Sequence, residues 1–594
     1  MSNRRIFSHC ESSTVSTVID LPVAAEDALG SAATPRKKPQ HARDKVASIL
    51  GQLQPGEGID MPSVREVARQ ANIPESTLRG WRERVVRLNL EPETITFLAS
   101  PAGVRFLHRL MVALFFVLGL MGGAGPSLLR LFLELSGLAP LVACSDTTIR
   151  TRMRELLGAV GEWGNRVQEE LAKGMIKRGV SLGVDETFFA QMVLVAMDVV
   201  SGYILLEKTS DKRDARTWFG HVQESLAGLN VELLQVVGDG ASALRALAVD
   251  MLGLPKVDDL WHGQSAVTKT TAGPLAAQVQ QATTALTEAR EAQEEVDQDR
   301  ASYEQKPRGP GRPLDWDTRQ DRADQAVQAA EIGLKQAVEN QASMQQAVCD
   351  LGTTLHPVDL STGALQDAAT VETKLRSIFD QMKQIAQQAG LSARSLAGIC
   401  KAARLVPSWV AAVTRWGQVV EARLADLALP IEVVDLVRNV LIPVLYLSRV
   451  IQQTRDAARR DELRTVRSRL LEKLVQPGGL WRSLPLSLRC ALVLLARDCV
   501  DLFQRSTGCV EGRNGYLSLH QHQMRGLGPA LLKALTVVHN FVIKRADGTT
   551  AAVRFFGRPP DQALFNHLCQ VLPLPARPRK RSRCPNEDAQ LLAA

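Results

Sequence analysis

The sequence predicts an α/β core, a mixed five-stranded sheet, inside an otherwise helical chain. An all-α helix-turn-helix region precedes the core, and a large all-α insertion with a coiled-coil hairpin interrupts it. Three observations carry this prediction. Short apolar, β-branched runs that read as strands succeed one another through residues 178–262, and two of them end on an aspartate, in Gly-Val-Asp185-Glu-Thr-Phe and Val-Val-Gly-Asp239-Gly-Ala. Two short helical patterns with a turn between them come earlier, within residues 41–90. Two consecutive runs of heptad spacing come later, within residues 275–351.

With 594 residues the chain is too long for one ordinary domain. Hydrophobic residues make up 45%, enough for real cores, so wholesale disorder is excluded. The net charge of +8 points toward nucleic acid once a motif stands beside it. Nine cysteines are scattered without any Cys-x-x-Cys, which reads as reduced thiols rather than a disulfide framework or structural zinc. Arg4 and Arg5 are followed by polar residues rather than a signal-peptide pattern. The apolar run 110–122 is shorter than the roughly 18–20 residues of a membrane span and reads as a buried core helix. The expected location is the cytoplasm, on the nucleoid.

Residues 1–40 read as a disordered leader and 41–95 as the helix-turn-helix domain. Ser63 is placed to cap a helix with Val64, Val67 and Ala68 on one face. A break at Ala71-Asn72-Ile73-Pro74 leads into a second helix from Glu75, with Asn72 at the turn and Ile73 between the helices. That second helix offers Ser76, Thr77, Arg79, Arg82 and Arg84 to a DNA groove and its phosphates. An ordinary helical hairpin has the same pattern, but the arginines favour DNA. Residues 96–175 read as a helical linker or DNA-binding domain, with a weaker second helix-turn-helix over 126–157.

The period then changes. Residues 179–185 read as a strand, 191–208 as a hairpin turning at Ser201-Gly202, 214–229 as a helix and 233–239 as a strand. A helix follows from Ser242, and 257–262, with His262 at its end, reads as a last short strand. The order β-β-β-α-β-α-β is that of a ribonuclease H-like core, with residues 176–272 as its first part.

Residues 273–500 read as an all-α insertion. Leu275, Val279, Ala282, Leu286, Ala289, Gln293 and Val296 alternate by four and three, as do Val327, Ala330, Leu334, Ala337, Gln341, Met344, Val348 and Leu351. The two helices make an antiparallel hairpin, roughly 45 Å long at 1.5 Å per residue. Its Pro/Gly-rich tip carries Arg308 and Arg312, which suit either a minor-groove hook or a plain solvated turn. Residues 501–572 hold the end of the core with Glu511, and 573–594 are a basic, proline-broken tail expected to be disordered.

Two carboxylates at strand ends and a third on a later helix suit a pair of divalent cations. Two such ions about 3.5–4 Å apart activate a water and stabilise the leaving oxygen of a phosphodiester. Mg²⁺ needs few protein oxygens because it keeps several waters. Asp185, Asp239 and Glu511 are therefore the expected catalytic and metal-binding residues, with Mg²⁺ as the cofactor and Mn²⁺ as a substitute. Glycines Gly508, Gly512 and Gly515 suggest close approach of the Glu511 helix to the sheet or to DNA. Arg513 and Asn514 would then contact phosphate near the scissile bond, and His262 would support the site.

These motifs resemble the DDE transposases of bacterial insertion sequences, in the ribonuclease H-like and retroviral-integrase superfamily. The likeness rests on Gly-Val-Asp185-Glu-Thr-Phe with its hairpin, Val-Gly-Asp239-Gly-Ala, Asp-Leu-Trp-His262, Cys-Val-Glu511-Gly-Arg-Asn-Gly and Val-Val-His-Asn540-Phe. It covers residues 175–270 and 500–560. The 272-residue separation of Asp239 and Glu511 resembles that of enzymes in this group that carry a helical insertion before the catalytic glutamate. The resemblance implies that the protein binds the ends of a double-stranded DNA element, cleaves them and joins the freed 3′-OH to target DNA. It also implies a homodimer or higher assembly at synapsis. In relatives such insertions stabilise flipped bases, a role for which Trp261 and Trp409 are candidates. A domesticated, non-catalytic DNA-binding regulator and a ribonuclease H-like nuclease that cuts without joining are the alternatives.

Overall fold

The computed structural model describes residues 43–53, 62–86, 92–306, 313–524 and 526–578. The leader 1–40, the tip arginines Arg308 and Arg312, and all but the first residues of the tail 573–594 lie outside them. Among the described residues 69% are helical, and there is one mixed five-stranded sheet. It divides into two compact units, residues 1–105 and 106–594.

The first unit contains the two predicted helices, Val64–Gln70 and Glu75–Val86. The Ser63 hydroxyl accepts from the Glu66 amide at 3.2 Å, capping the first. Asn72 takes the left-handed conformation that the turn requires, with φ of 52°. Ile73 is buried with Val46, Ile49, Val67, Ala68, Leu78 and Trp81. That core consumes one face of the second helix and leaves Ser76, Arg79 and Arg82 exposed, with Thr77 half-buried. The side chain of Arg84 lies outside the described set.

In the second unit the strands are β1 (Arg178–Phe188), β2 (Met192–Asp198), β3 (Ile204–Ser210), β4 (Val231–Gly238) and β5 (Lys256–Asp258). Their order is β3-β2-β1-β4-β5, with the first two pairings antiparallel and the last two parallel. Residues Val180 to Asp185 are buried without alternation, because helices cover both faces of the sheet. The β2–β3 hairpin turns at Gly202, whose φ of 74° suits glycine, and Asp198 accepts from the Ser201 amide and hydroxyl.

Three sequence expectations are corrected. β5 ends at Asp258, and Asp259 caps a helix through the Trp261 amide, so His262 sits on a first helical turn and not on a strand. That helix, Leu260–Glu304, passes through residue 273 unbroken, so the core and the insertion share one element. Its 45 residues span about 68 Å, longer than the hairpin read from the sequence. Finally, residues 136–145 separate helices Pro126–Leu135 and Asp146–Ala172, too long a connection for a second helix-turn-helix.

The heptad seam itself is present. Leu275, Leu286, Ala337, Met344 and Leu351 are buried, and the other predicted seam residues are half-buried. Arg290 pairs with Glu331 and Arg300 with Asp317, which sets the antiparallel register against Trp316–Thr354. The rest of the insertion is a helical bundle around Phe379, Trp409, Trp416 and Tyr446. It docks on the β5 edge of the sheet. There the Trp409 indole donates to the Asp258 carbonyl at 2.9 Å, and Ala412 packs on Val237 and Val257. Trp409 is fully buried, so it is a core residue and not a base-stacking one.

Two stretches are long and apolar enough to cross a membrane by length and composition, Pro101–Met121 and Ala393–Ala425. The second was not evident in the sequence and is interrupted at Arg404 and Leu405. Both contribute to the protein's interior: Met111, Leu114 and Phe115 are buried in one, Trp409, Val413 and Trp416 in the other.

Candidate metal centre

Asp185 lies near the end of the central strand β1, and Asp239 directly follows the neighbouring parallel strand β4. The helix Gly508–Met524 crosses β1 and β2 and carries Glu511 in its first turn. Its approach depends on Gly183. A Cβ at that position would meet Val199 at 2.8 Å and Val510 at 3.2 Å. Gly512 and Gly515, by contrast, have nothing within 4 Å of such a Cβ, and Gly508 only the Ser506 hydroxyl at 3.8 Å. The close approach expected of those three glycines is made by the strand residue instead.

Ligand atoms of Asp185, His262 and Glu511 lie within 4.8 Å of one another. His262 Nε2 is 3.6 Å from Glu511 Oε1. Asp239 stands apart from this group, its Oδ1 accepting from the Ala241 amide at 2.9 Å. Of the three expected acids, Asp185 and Glu511 come together with His262 beside them, and Asp239 is outside that group. Burial, and then the charge of Glu511, push the Asp185 carboxyl up to about 7, and Asp239 adds to the rise.

His262 is held from behind. Its Nδ1 lies 3.1 Å from Asp259 Oδ2, an oxygen that also accepts from the Thr507 hydroxyl. Burial favours the protonated Asp259 carboxyl, but hydrogen bonds from His262, Thr507 and the Trp261 amide outweigh it and hold the group below its usual range. The same bond to Asp259 raises the imidazole pKa, assisted by Glu511 and Asp185. Asp259 therefore leaves Nε2 as the ring nitrogen that faces the acids. Trp261, 43% exposed, flanks His262 at 5.0 Å between ring centroids.

Lys256 secures the other aspartate. Its buried ammonium donates to the carbonyls of Gly238 and Asp239 at 2.9 and 2.7 Å and to Asp258 Oδ1 at 3.1 Å. Burial lowers its pKa, while Asp258 and Asp239 work against that fall. Glu186 turns away from Asp185, as alternate strand residues must, and lies 3.4 Å from the Trp218 indole nitrogen.

Two expected phosphate contacts are corrected. Arg513 is 3% exposed and donates from Nε and Nη2 to the two carboxylate oxygens of Glu207 on β3, at 2.7 and 2.6 Å. A guanidinium this deeply buried is not open to a phosphate. Asn514 is also buried, and its Nδ2 donates to Asp185 Oδ2 at 2.7 Å. Asp259, Lys256 and Glu207 support the site, although the sequence motifs give none of them a role. Only Asp259 had a local signal, as an N-cap residue before Leu260.

The two carboxylates and the imidazole nitrogen form a donor set able to hold a divalent cation, beside a buried amide whose Oδ1 has no partner among the described residues. Residues 437–584, which include Glu511, Arg513 and Asn514, match a family model described as a family of unknown function (DUF6399). No curated protein matches the chain.

Proposed function

We propose that this protein is a metal-dependent DNA transposase of the cytoplasm, built on a ribonuclease H-like core. The observation that carries the reading is the meeting of Asp185, on the central strand, with Glu511, on a helix that returns after the whole insertion. Two buried or half-buried acids held this close repel one another unless a proton or cation lies between them. The strand order, with Asp239 following the parallel neighbour of β1, supports the ribonuclease H-like assignment. The exposed Arg79 and Arg82 and the net charge of +8 support double-stranded DNA as the partner.

Bound Mg²⁺, or Mn²⁺ in its place, supplies an activated water and neutralises charge at the leaving oxygen. Asp185 and Glu511 would hold it, with His262 alongside and Asp239 at the edge toward β4. Asp259 keeps the imidazole oriented, Lys256 keeps the Asp239 turn closed, and Arg513 seats the Glu511 helix. The exposed Trp261 is placed to stack on a base at the rim. Joining two element ends calls for a homodimer or larger assembly.

The test is cleavage and strand transfer in Mg²⁺, using linear DNA that carries the flanks of the coding region. Asp185→Asn, Asp239→Asn and Glu511→Gln should each abolish both steps and leave end binding intact. Full strand transfer by the Asp185 or Glu511 variant would remove the basis of the assignment. Cutting without joined products would identify a nuclease, and binding without cutting a regulator.

A further inference from the structure

Asn514 follows Glu511 by three residues, so both side chains project from one face of the same helix. Glu511 and Asn514 both reach Asp185, the first as a ligand-distance neighbour and the second through the 2.7 Å bond from Nδ2. Asn514 is only 9% exposed. Its Oδ1 is buried and has no hydrogen-bond partner among the described residues. Turning the amide over does not resolve this: even if a protonated Asp185 then donated to Oδ1, the buried NH₂ would become the orphan. A buried amide oxygen without a partner is costly, and native structures assign one to almost every such atom. Nδ2 and Oδ1 share one carbon, so the orphan oxygen lies beside Asp185 as well. Amide oxygens are ordinary partners for hard divalent cations and for the waters around them.

We propose that Asn514 is a positioning residue of a divalent-cation site: Nδ2 orients the Asp185 carboxylate, and Oδ1 accepts a hydrogen bond from a water on the cation. The proposal rests on the metal reading of the preceding section. It assigns to Asn514 a role toward the ion rather than toward DNA phosphate.

The test is Mn²⁺ binding to the purified full chain, followed by calorimetry and by electron paramagnetic resonance, with no DNA present. Wild type should bind, and Asp185→Asn and Glu511→Gln should lose binding. Asn514→Leu should bind about 10–100-fold more weakly, the usual cost of removing an outer-shell partner. In EDTA it should keep the wild-type circular dichroism. Asn514→Ala serves if the leucine variant does not fold. Asn514→Asp distinguishes a role toward the ion from a merely structural one. A carboxylate there repels Asp185 in the metal-free protein but adds a ligand charge beside the cation. Its melting temperature should therefore rise more on Mn²⁺ addition than that of wild type. Wild-type Mn²⁺ affinity in Asn514→Leu and Asn514→Ala, with loss in the two acid variants, overturns the Asn514 role and leaves the metal site standing. Absence of binding by the wild type overturns both.

Discussion

Glu207 on β3 and Arg513 on the Glu511 helix form a bidentate ion pair whose side chains are 0% and 1% exposed. The Thr536 hydroxyl donates to the same carboxylate at 2.6 Å, so three segments distant in sequence meet at one group. Removing one partner strands a buried charge. Arg513→Ala or Glu207→Ala should cost about 3–5 kcal/mol, read by urea denaturation. The double substitution Arg513→Met with Glu207→Leu should recover most of that loss. A single-variant cost below about 1 kcal/mol would show that the pair does not anchor the helix.

The Asp185 carboxyl gives the metal-free protein a pH signature. Its value in the folded chain is about 7, against an ordinary 3.8. Between those values the folded state holds a proton that the unfolded chain releases. The Asp185 contribution to stability is therefore complete below about 3.8 and is lost as pH rises through about 7. A cation favours the ionised form, so the gain in melting temperature from Mg²⁺ over EDTA should grow between pH 5 and pH 8. In Asp185→Asn that growth should disappear.

Asp259 raises the imidazole pKa of His262 more than any other neighbour. Asp259→Asn should lower that pKa in an NMR titration, because the remaining partner is neutral. Metal-dependent cutting should fall about 10–100-fold, as for other partners of metal-site histidines. DNA-end affinity should hold, since Asp259 is buried behind the site.

The helix-turn-helix carries its own test. Arg82 is exposed and would meet a phosphate rather than a base edge in the simplest pose. Arg82→Ala should weaken binding similarly on all sequences. It should also reduce the slope of log affinity against log salt by about one, measured by fluorescence anisotropy between 50 and 200 mM salt. A change confined to one sequence would place Arg82 on a base instead.

What was legible in the sequence follows the range of the interactions. Strands β1 to β4 are marked by short apolar, β-branched runs and the coiled-coil seam by heptads, both local signals, so Asp185 and Asp239 stand legibly at neighbouring strand ends. The Ser63 cap and the Asn72 turn are equally local. The end of β5 was misread because Val257, Leu260 and Trp261 continue an apolar run, while the cap at Asp259 starts a helix beneath it. Arg513 and Asn514 beside Glu511 look like phosphate contacts when taken alone. Their true partners, Glu207 and Asp185, lie some three hundred residues upstream, and no local pattern announces them. The glycine that admits the Glu511 helix was hidden for the same reason, since Gly183 acts on a segment far along the chain.

The unbroken helix Leu260–Glu304 has a geometric consequence. His262 and the coiled coil are marked on one cylinder, so the direction in which the coil departs is set by angular phase. One residue inserted between His262 and Leu275 turns the coil about 100° around that axis, whereas seven return it to within about 20°. The coil is therefore aimed from the cluster of Asp185, His262 and Glu511, and the number of residues between the two sets the bearing.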